Sequence, residues 1–233
     1  MARLTRLAIA GQLHHVALRG HSGMAIFHDD EDRRAFLETL NQAVREHSLA
    51  LHAYALLEAE VHALVTPPTA EALSRAVQSL GRRYVARFNR RHGRTGTLWD
   101  GRFRSSVLEP ATWLFPATAY IETLPAVQHL VAHPADWPWS SAAARLGRCR
   151  DTLLNDHADY WRAGNTPFDR ERAHADLLLR GVEPVEAAAI EAALRRGLVL
   201  GTPPFVETLQ RQARRPLLPR NRGRPRTKLM RPH

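Results

Sequence analysis

The sequence predicts an α+β fold: a ferredoxin-like antiparallel sheet with helices packed on one face, followed by a C-terminal helical extension and a basic tail. Three observations predict it. Apolar alternation and helical stripes succeed one another in the order β-α-β-β-α-β through residue 108. Helical stretches rich in alanine and leucine come next, and the periodicity stops after Pro216. With 233 residues and 44% hydrophobic content, the chain has enough material for one cored domain plus an appendage, or two small domains.

Residues 13–18 alternate as a first strand, and 29–47 form a helix whose Phe36, Leu37, Leu40 and Val44 recur at helical spacing. Asp29 or Asp30 suits its N-cap, because a short carboxylate accepts from the free backbone N–H groups of the first turn. Residues 49–57 and 61–66 make the second and third strands, which Pro67 and Pro68 end by lacking the N–H a ladder needs. A helix over 70–91 follows, with Leu73, Val77, Leu80, Tyr84 and Phe88 on one stripe and Gly93 as its stop signal. A fourth strand is predicted over 102–108, and then a helix containing Trp113, Ala117, Tyr120, Ile121 and Leu124, bent by Pro116. Residues 166–180, 183–198 and 205–214 read as three more helices, with spacing compatible with a helix-turn-helix unit. The predicted domain limits are 1–147, a helical extension over 148–215, and a basic tail over 216–233.

Charge narrows the function. The net charge is +10, yet residues 211–233 hold nine Lys or Arg and no acid, which leaves the first 210 residues at +1, with 24 bases against 23 acids. Within those, residues 82–104 carry eight arginines against Asp100 alone. Two basic blocks on an acidic background predict a polyanion partner, nucleic acid before others. Arg83, Arg87, Arg90 and Arg94 recur at intervals of four, three and four and predict a basic ridge that positions DNA backbone. Cys149 is the lone cysteine, so no internal disulfide and no structural zinc cluster of cysteines is expected. That usage fits a reducing compartment, the cytoplasm. Residues 1–10 are basic, but their apolar run is too short for a signal peptide or a membrane span.

Glu60 and His62 lie in an otherwise apolar run, and residues two apart on a strand project to the same side. The two are therefore candidate ligands of one metal ion. The same spacing also occurs in strands that hold nothing.

Five ordered blocks carry a family resemblance. His14-His15-Val16-Ala17-Leu18-Arg19-Gly20, Leu51-His52-Ala53-Tyr54, Phe88-Asn89-Arg90-Arg91-His92-Gly93-Arg94, Gly96-Thr97-Leu98-Trp99-Asp100-Gly101-Arg102-Phe103 and Trp137-Pro138-Trp139-Ser140-Ser141 resemble the REP-associated tyrosine transposases, within the single-tyrosine HUH superfamily. The resemblance spans roughly residues 1–147, and residues 192–206 with the basic end are similar to the extension of longer members. It implies a ferredoxin-like domain that acts on single-stranded or hairpin DNA, and commonly a homodimer.

The resemblance also assigns roles. Family members carry His-hydrophobic-His on a central strand, where two imidazoles hold a divalent ion that polarises the scissile phosphate. A helix-borne tyrosine attacks it, giving a 5′-phosphotyrosine and a free 3′-hydroxyl. Glu60-Val61-His62 aligns with that motif, with glutamate in place of the first histidine, and Tyr120 aligns with the nucleophile. Leu124 stands where a polar residue is usual. Glutamate is a hard oxygen ligand, so Glu60 and His62 are expected to take Mg2+ or Mn2+ if the protein cuts DNA. The other reading is a domain that keeps the DNA-binding shape and has lost cleavage. A third is an RNA binder that reads stem-loops by shape. In the tail, Arg222-Gly223-Arg224-Pro225-Arg226 resembles an AT-hook core, in which Arg222, Arg224 and Arg226 would enter the narrow minor groove of AT-rich duplex.

Overall fold

The order β-α-β-β-α-β is realised as β1 (Leu13–Arg19), α1 (Asp30–Glu46), β2 (Ala50–Leu56), β3 (Glu60–Thr66), α2 (Ala70–Arg91) and β4 (Arg104–Leu108). These come from a computed structural model that describes residues 7–211 and Leu217. Then follow α3 (Pro110–Val127), α4 (Ala142–Arg145), α5 (Pro167–Arg180), α6 (Pro184–Arg196), β5 (Val199–Leu200) and α7 (Pro203–Gln210). The sheet runs β2-β3-β1-β4-β5, antiparallel except where the short β5 joins β4 in parallel, so it is mixed overall. The first four strands in that order give the expected ferredoxin-like arrangement.

Local chemistry sets the helix ends. The Asp29 side chain accepts from the backbone N–H groups of Glu31 and Asp32, and Thr69 does the same for Ala72 at the start of α2. Thr166 and Asp169 form a reciprocal capping box at the start of α5. β3 begins one residue earlier than its apolar pattern, at Glu60, which puts Glu60 itself on the strand. β4 begins two residues later than predicted, after Gly101 takes a left-handed φ of 69°.

Strand alternation divides the core in two. Val16, Leu18, Val61, Ala63 and Val65 face α1 and α2, where Phe36, Leu40, Leu73, Leu80, Tyr84 and Phe88 are buried against them. Leu13, Leu64 and Leu108 face the other way, into a second core with Leu114, Ala117, Ile121, Tyr160 and Ile190. The predicted single helical layer thus holds for α1 and α2, while α3 and α6 cover the opposite face. The physical reason lies in the strands themselves: both parities of β1, β3 and β4 carry apolar side chains, so neither face is stable in water. Leu7, Ile9, Val107, Val199, Val206, Leu209 and Leu217 close a third cluster at the β5 edge.

Pro116 and Pro125 both lie inside α3, and each leaves one helix carbonyl without its usual N–H donor. Arg222, Arg224 and Arg226, and the last residues of the predicted third extension helix, lie outside the described residues.

Candidate active site

The register of β1 against β3 builds the site. Arg19 stands opposite Glu60 and Ala17 opposite His62, so residues on the α3-facing parity of the two strands converge. Five polar side chains meet there, four from the strands and Gln128 from the end of α3. Glu60 Oε2 accepts from Arg19 Nε at 2.7 Å and lies 3.5 Å from His62 Nε2. His62 Nδ1 and His15 Nε2 share a hydrogen bond of 2.9 Å, and Gln128 Nε2 donates to Glu60 Oε1 at 3.3 Å. Tyr120, on α3, closes the site edge-on, its ring centroid 5.8 Å from that of His15 and 6.2 Å from that of His62.

The electrostatics follow from this packing. Burial works against a charged Glu60, but the neighbouring His62 and Arg19 outweigh it and hold the carboxyl down at about 2. Burial, reinforced by His62, keeps His15 neutral well below the usual histidine range, against the opposing pull of Glu60. Burial, then the charge of and hydrogen bond to Glu191, push the Tyr120 hydroxyl up above the ordinary tyrosine range. That hydroxyl donates to Glu191 Oε1 of α6 at 3.2 Å. An unaided tyrosinate is therefore disfavoured, and the carboxylate that accepts its hydrogen bond is the nearest proton acceptor.

The donor set fits a divalent cation. His62 Nε2 is buried and makes no hydrogen bond, which is costly unless the lone pair has another use. When His62 Nδ1 donates to His15, Nε2 presents that lone pair towards Glu60, the orientation that second-shell hydrogen bonds give to metal-bound imidazoles. A nitrogen and an oxygen 3.5 Å apart accommodate one ion at ordinary bond lengths of about 2.0–2.2 Å. Arg19, half exposed, is the present counter-charge and is free to move away.

Four contributors escaped the sequence reading or were left undecided by it. His15 is one; it lies with Arg19 in the first block of the resemblance and shares its odd parity on β1, but neither signal gave it a role. Arg19 and Gln128 join Glu60 from 41 and 68 residues away in sequence. Glu191 comes from the extension, 71 residues beyond Tyr120. Gln128, two turns along from Tyr120, places an amide where Leu124 offers only apolar surface. Glu122, two residues after Tyr120, takes no part in this site: it is fully buried on another side of α3, accepting from Ser141 Oγ and paired with His174 Nε2, both at 2.5 Å.

The arginine ridge of α2 is largely answered by α1. Arg83 pairs with Glu46 at 2.9 Å and Arg87 with Glu38 at 2.7 Å. Arg94 stacks over Phe88, 5.6 Å from the ring centroid, and Arg90 is exposed. The ridge lies on the helical layer opposite α3. Near it, Gly81, Arg82, Trp99, Arg102 and Phe103 line an open groove in which Arg82 and Arg102 are exposed.

No protein-family model matches the chain, and no curated protein matches it. Among solved structures, the chain is similar to a REP-associated tyrosine transposase bound to a REP hairpin, at a TM-score of 0.55 and 16% identity. The match covers 68% of this chain and 96% of that one, so the chain shares the fold of that transposase over about two thirds of its length.

Proposed function

We propose that this protein binds single-stranded or hairpin DNA and, with Mg2+ or Mn2+, cleaves and transfers it through a 5′-phosphotyrosine on Tyr120. One observation carries the reading: the Tyr120 ring lies against a buried His15–His62 pair whose His62 Nε2 faces the Glu60 carboxylate at 3.5 Å. The likeness to a transposase bound to a hairpin supports the same class of substrate. Residues 1–147 would form the catalytic unit and 148–215 a helical extension docked on it.

In this reading Glu60 and His62 hold the ion, which when bound draws charge from the scissile phosphate. Tyr120 Oη attacks phosphorus, the P–O3′ bond breaks, and the phenolic proton passes to Glu191. The departing 3′ oxygen takes a proton from solvent, leaving a 3′-hydroxyl and a covalent 5′ end. His15 fixes the His62 tautomer. Arg19 and Gln128 supply a cation and an amide beside the same carboxylate, where a phosphate oxygen would sit.

Arg83, Arg87, Arg90 and Arg94 are proposed to contact DNA backbone, Arg83 and Arg87 only by exchanging their α1 carboxylates for phosphates. Arg222, Arg224 and Arg226 would add contacts to AT-rich duplex. Self-association and a cytoplasmic location complete the proposal; among the described residues no helix is long and apolar enough to cross a membrane.

A second reading, a non-cutting DNA binder on the same surfaces, is favoured by one specific arrangement. Arg19 already neutralises Glu60, and Glu191 already holds the Tyr120 hydroxyl.

Fluorescence anisotropy with labelled hairpin, linear single-stranded, duplex DNA and RNA stem-loop tests the substrate class common to both readings. The expected result is tightest binding to the DNA hairpin, with affinity falling steeply as salt rises. Replacing Arg82, Arg90 and Arg102 together by alanine is expected to flatten that salt slope by up to about three ions. Equal affinity for DNA and RNA stem-loops would move the reading to shape recognition, and no binding to any of them would overturn it.

A further inference from the structure

On the layer opposite Tyr120, three potential metal ligands meet where α1 begins and α2 ends. His28, Asp32 and His92 each offer one ligand atom, and these atoms all lie within 4.8 Å of one another. His92 Nε2 is 2.9 and 3.0 Å from the two Asp32 oxygens, and the His28 and His92 rings face each other at 4.4 Å between centroids. Asp32 is 2% exposed. Its carboxyl is held below the usual range: burial opposes this, but the His28 backbone N–H, His92 and Arg91 together prevail.

Much of this corner is an ordinary ion-pair latch. Arg91 bridges Asp29 at 2.6 Å, Glu31 at 3.1 Å and Asp32 at 2.6 Å. The latch explains Arg91. It leaves His28 unexplained, since neither of its ring nitrogens makes a hydrogen bond among the described residues, whereas His92 Nε2 is held by Asp32 and lies 3.2 Å from Arg91 Nη1. Four carboxylates, Asp29, Asp30, Glu31 and Asp32, surround the spot, with Arg91 and Arg33 as their cationic partners.

We propose that His28, Asp32 and His92 form a binding site for a divalent transition ion of the zinc class, separate from the Glu60–His62 pair. Two imidazoles and one carboxylate are a donor set that suits zinc and excludes the all-oxygen preference of magnesium. Imidazole nitrogen and carboxylate oxygen bound to one tetrahedral zinc at about 2.0–2.1 Å are about 3.3–3.4 Å apart. His92 and Asp32, now at hydrogen-bond spacing of 2.9–3.0 Å, would have to part by a few tenths of an ångström and the exposed His28 ring would have to swing inward. The ion would clasp the first turn of α1 to the end of α2, stiffening the segment from His92 to Trp99.

Cobalt and zinc titrations of the untagged full chain, stripped with chelator, test this. One equivalent of Co2+ is expected to give visible d–d absorption that Zn2+ removes, and Zn2+ is expected to raise Tm by mass action. The double variant His28→Ala/His92→Ala should lose both effects. His28→Ala alone, at an exposed position that leaves the α1 cap intact, should weaken binding beyond the roughly 10–100-fold that a second-shell change costs. Circular dichroism checks that both variants are folded, and His62→Ala should keep the full signal. A signal unchanged in the folded double variant, a signal lost in His62→Ala, or none in the parent overturns the proposal.

Discussion

His62→Ala is expected to lower manganese-dependent formation of a protein–DNA adduct about 10²–10³-fold, the range lost when one preorganised electrostatic stabiliser leaves a reacting centre. Hairpin affinity should stay near that of the parent. The expectation rests on the buried Nε2 of His62, 3.5 Å from the Glu60 carboxylate. Removing the imidazole would take away a proposed ligand without touching α2, whose arginines are proposed to contact DNA. Quantified denaturing gels over a manganese titration measure the effect. Excess manganese should rescue part of the loss, because a weakened site still fills by mass action. An adduct yield equal to the parent at every manganese concentration would remove His62 from the chemistry.

Stability is expected to fall by up to about 6 kcal/mol between pH 6.5 and pH 4, from two histidines far from Tyr120. His14 and His52 are both buried, and burial lowers each to about 4 from 6.5. Their hydrogen bonds agree. His14 accepts the Ile9 N–H at Nε2 and donates from Nδ1 to Gln12 O. His52 donates from Nδ1 to Asn155 O and accepts from Thr66 Oγ1. A second proton would destroy the acceptor in each. Between pH 4 and 6.5 the unfolded chain therefore binds more protons than the folded one, so stability is full above 6.5 and is lost as the pH falls. Each shift of roughly 2.5 pH units corresponds to about 3 kcal/mol, and His15 adds to it with the same sign. The lowered carboxyl of Glu60 acts in the same direction but only below about pH 4.5. A total stability of about 5–15 kcal/mol is typical, so the protein should approach unfolding near pH 4. Guanidinium titrations at pH 7, 5.5 and 4.5 report this directly, and a flat stability from pH 7 to 5 would contradict it.

Much of the architecture is legible in the sequence because its signals are local. The stripe Leu73–Val77–Leu80–Tyr84–Phe88 and the cap at Asp29 specify helices without reference to anything distant. β5 is different: it is two residues long, and only the neighbouring β4 makes Val199 and Leu200 a strand. The covering of the second sheet face by α3 and α6 was equally hidden, although the leucines at 13, 64 and 108 carried the signal in their parity. For the site, Glu60, His62 and Tyr120 are legible because motif and spacing mark them. Arg19 and Gln128 reach Glu60 through the β1–β3 register and the length of α3, neither of which spacing along the chain reveals. The arginine ridge shows the same limit from the other side. Arg83 and Arg87 count as unbalanced charge within residues 82–104, and their partners Glu46 and Glu38 lie on another helix.

A labelled DNA hairpin with a single-stranded flank, incubated with the protein and Mn2+ and resolved on a denaturing gel, tests the central claim most directly. The account predicts a covalent adduct and a fragment ending in a 3′-hydroxyl with the parent protein, and neither with Tyr120→Phe, a change that removes one oxygen and keeps the ring against His15 and His62. Hairpin binding without any adduct in the parent, or an adduct that survives Tyr120→Phe, would contradict it.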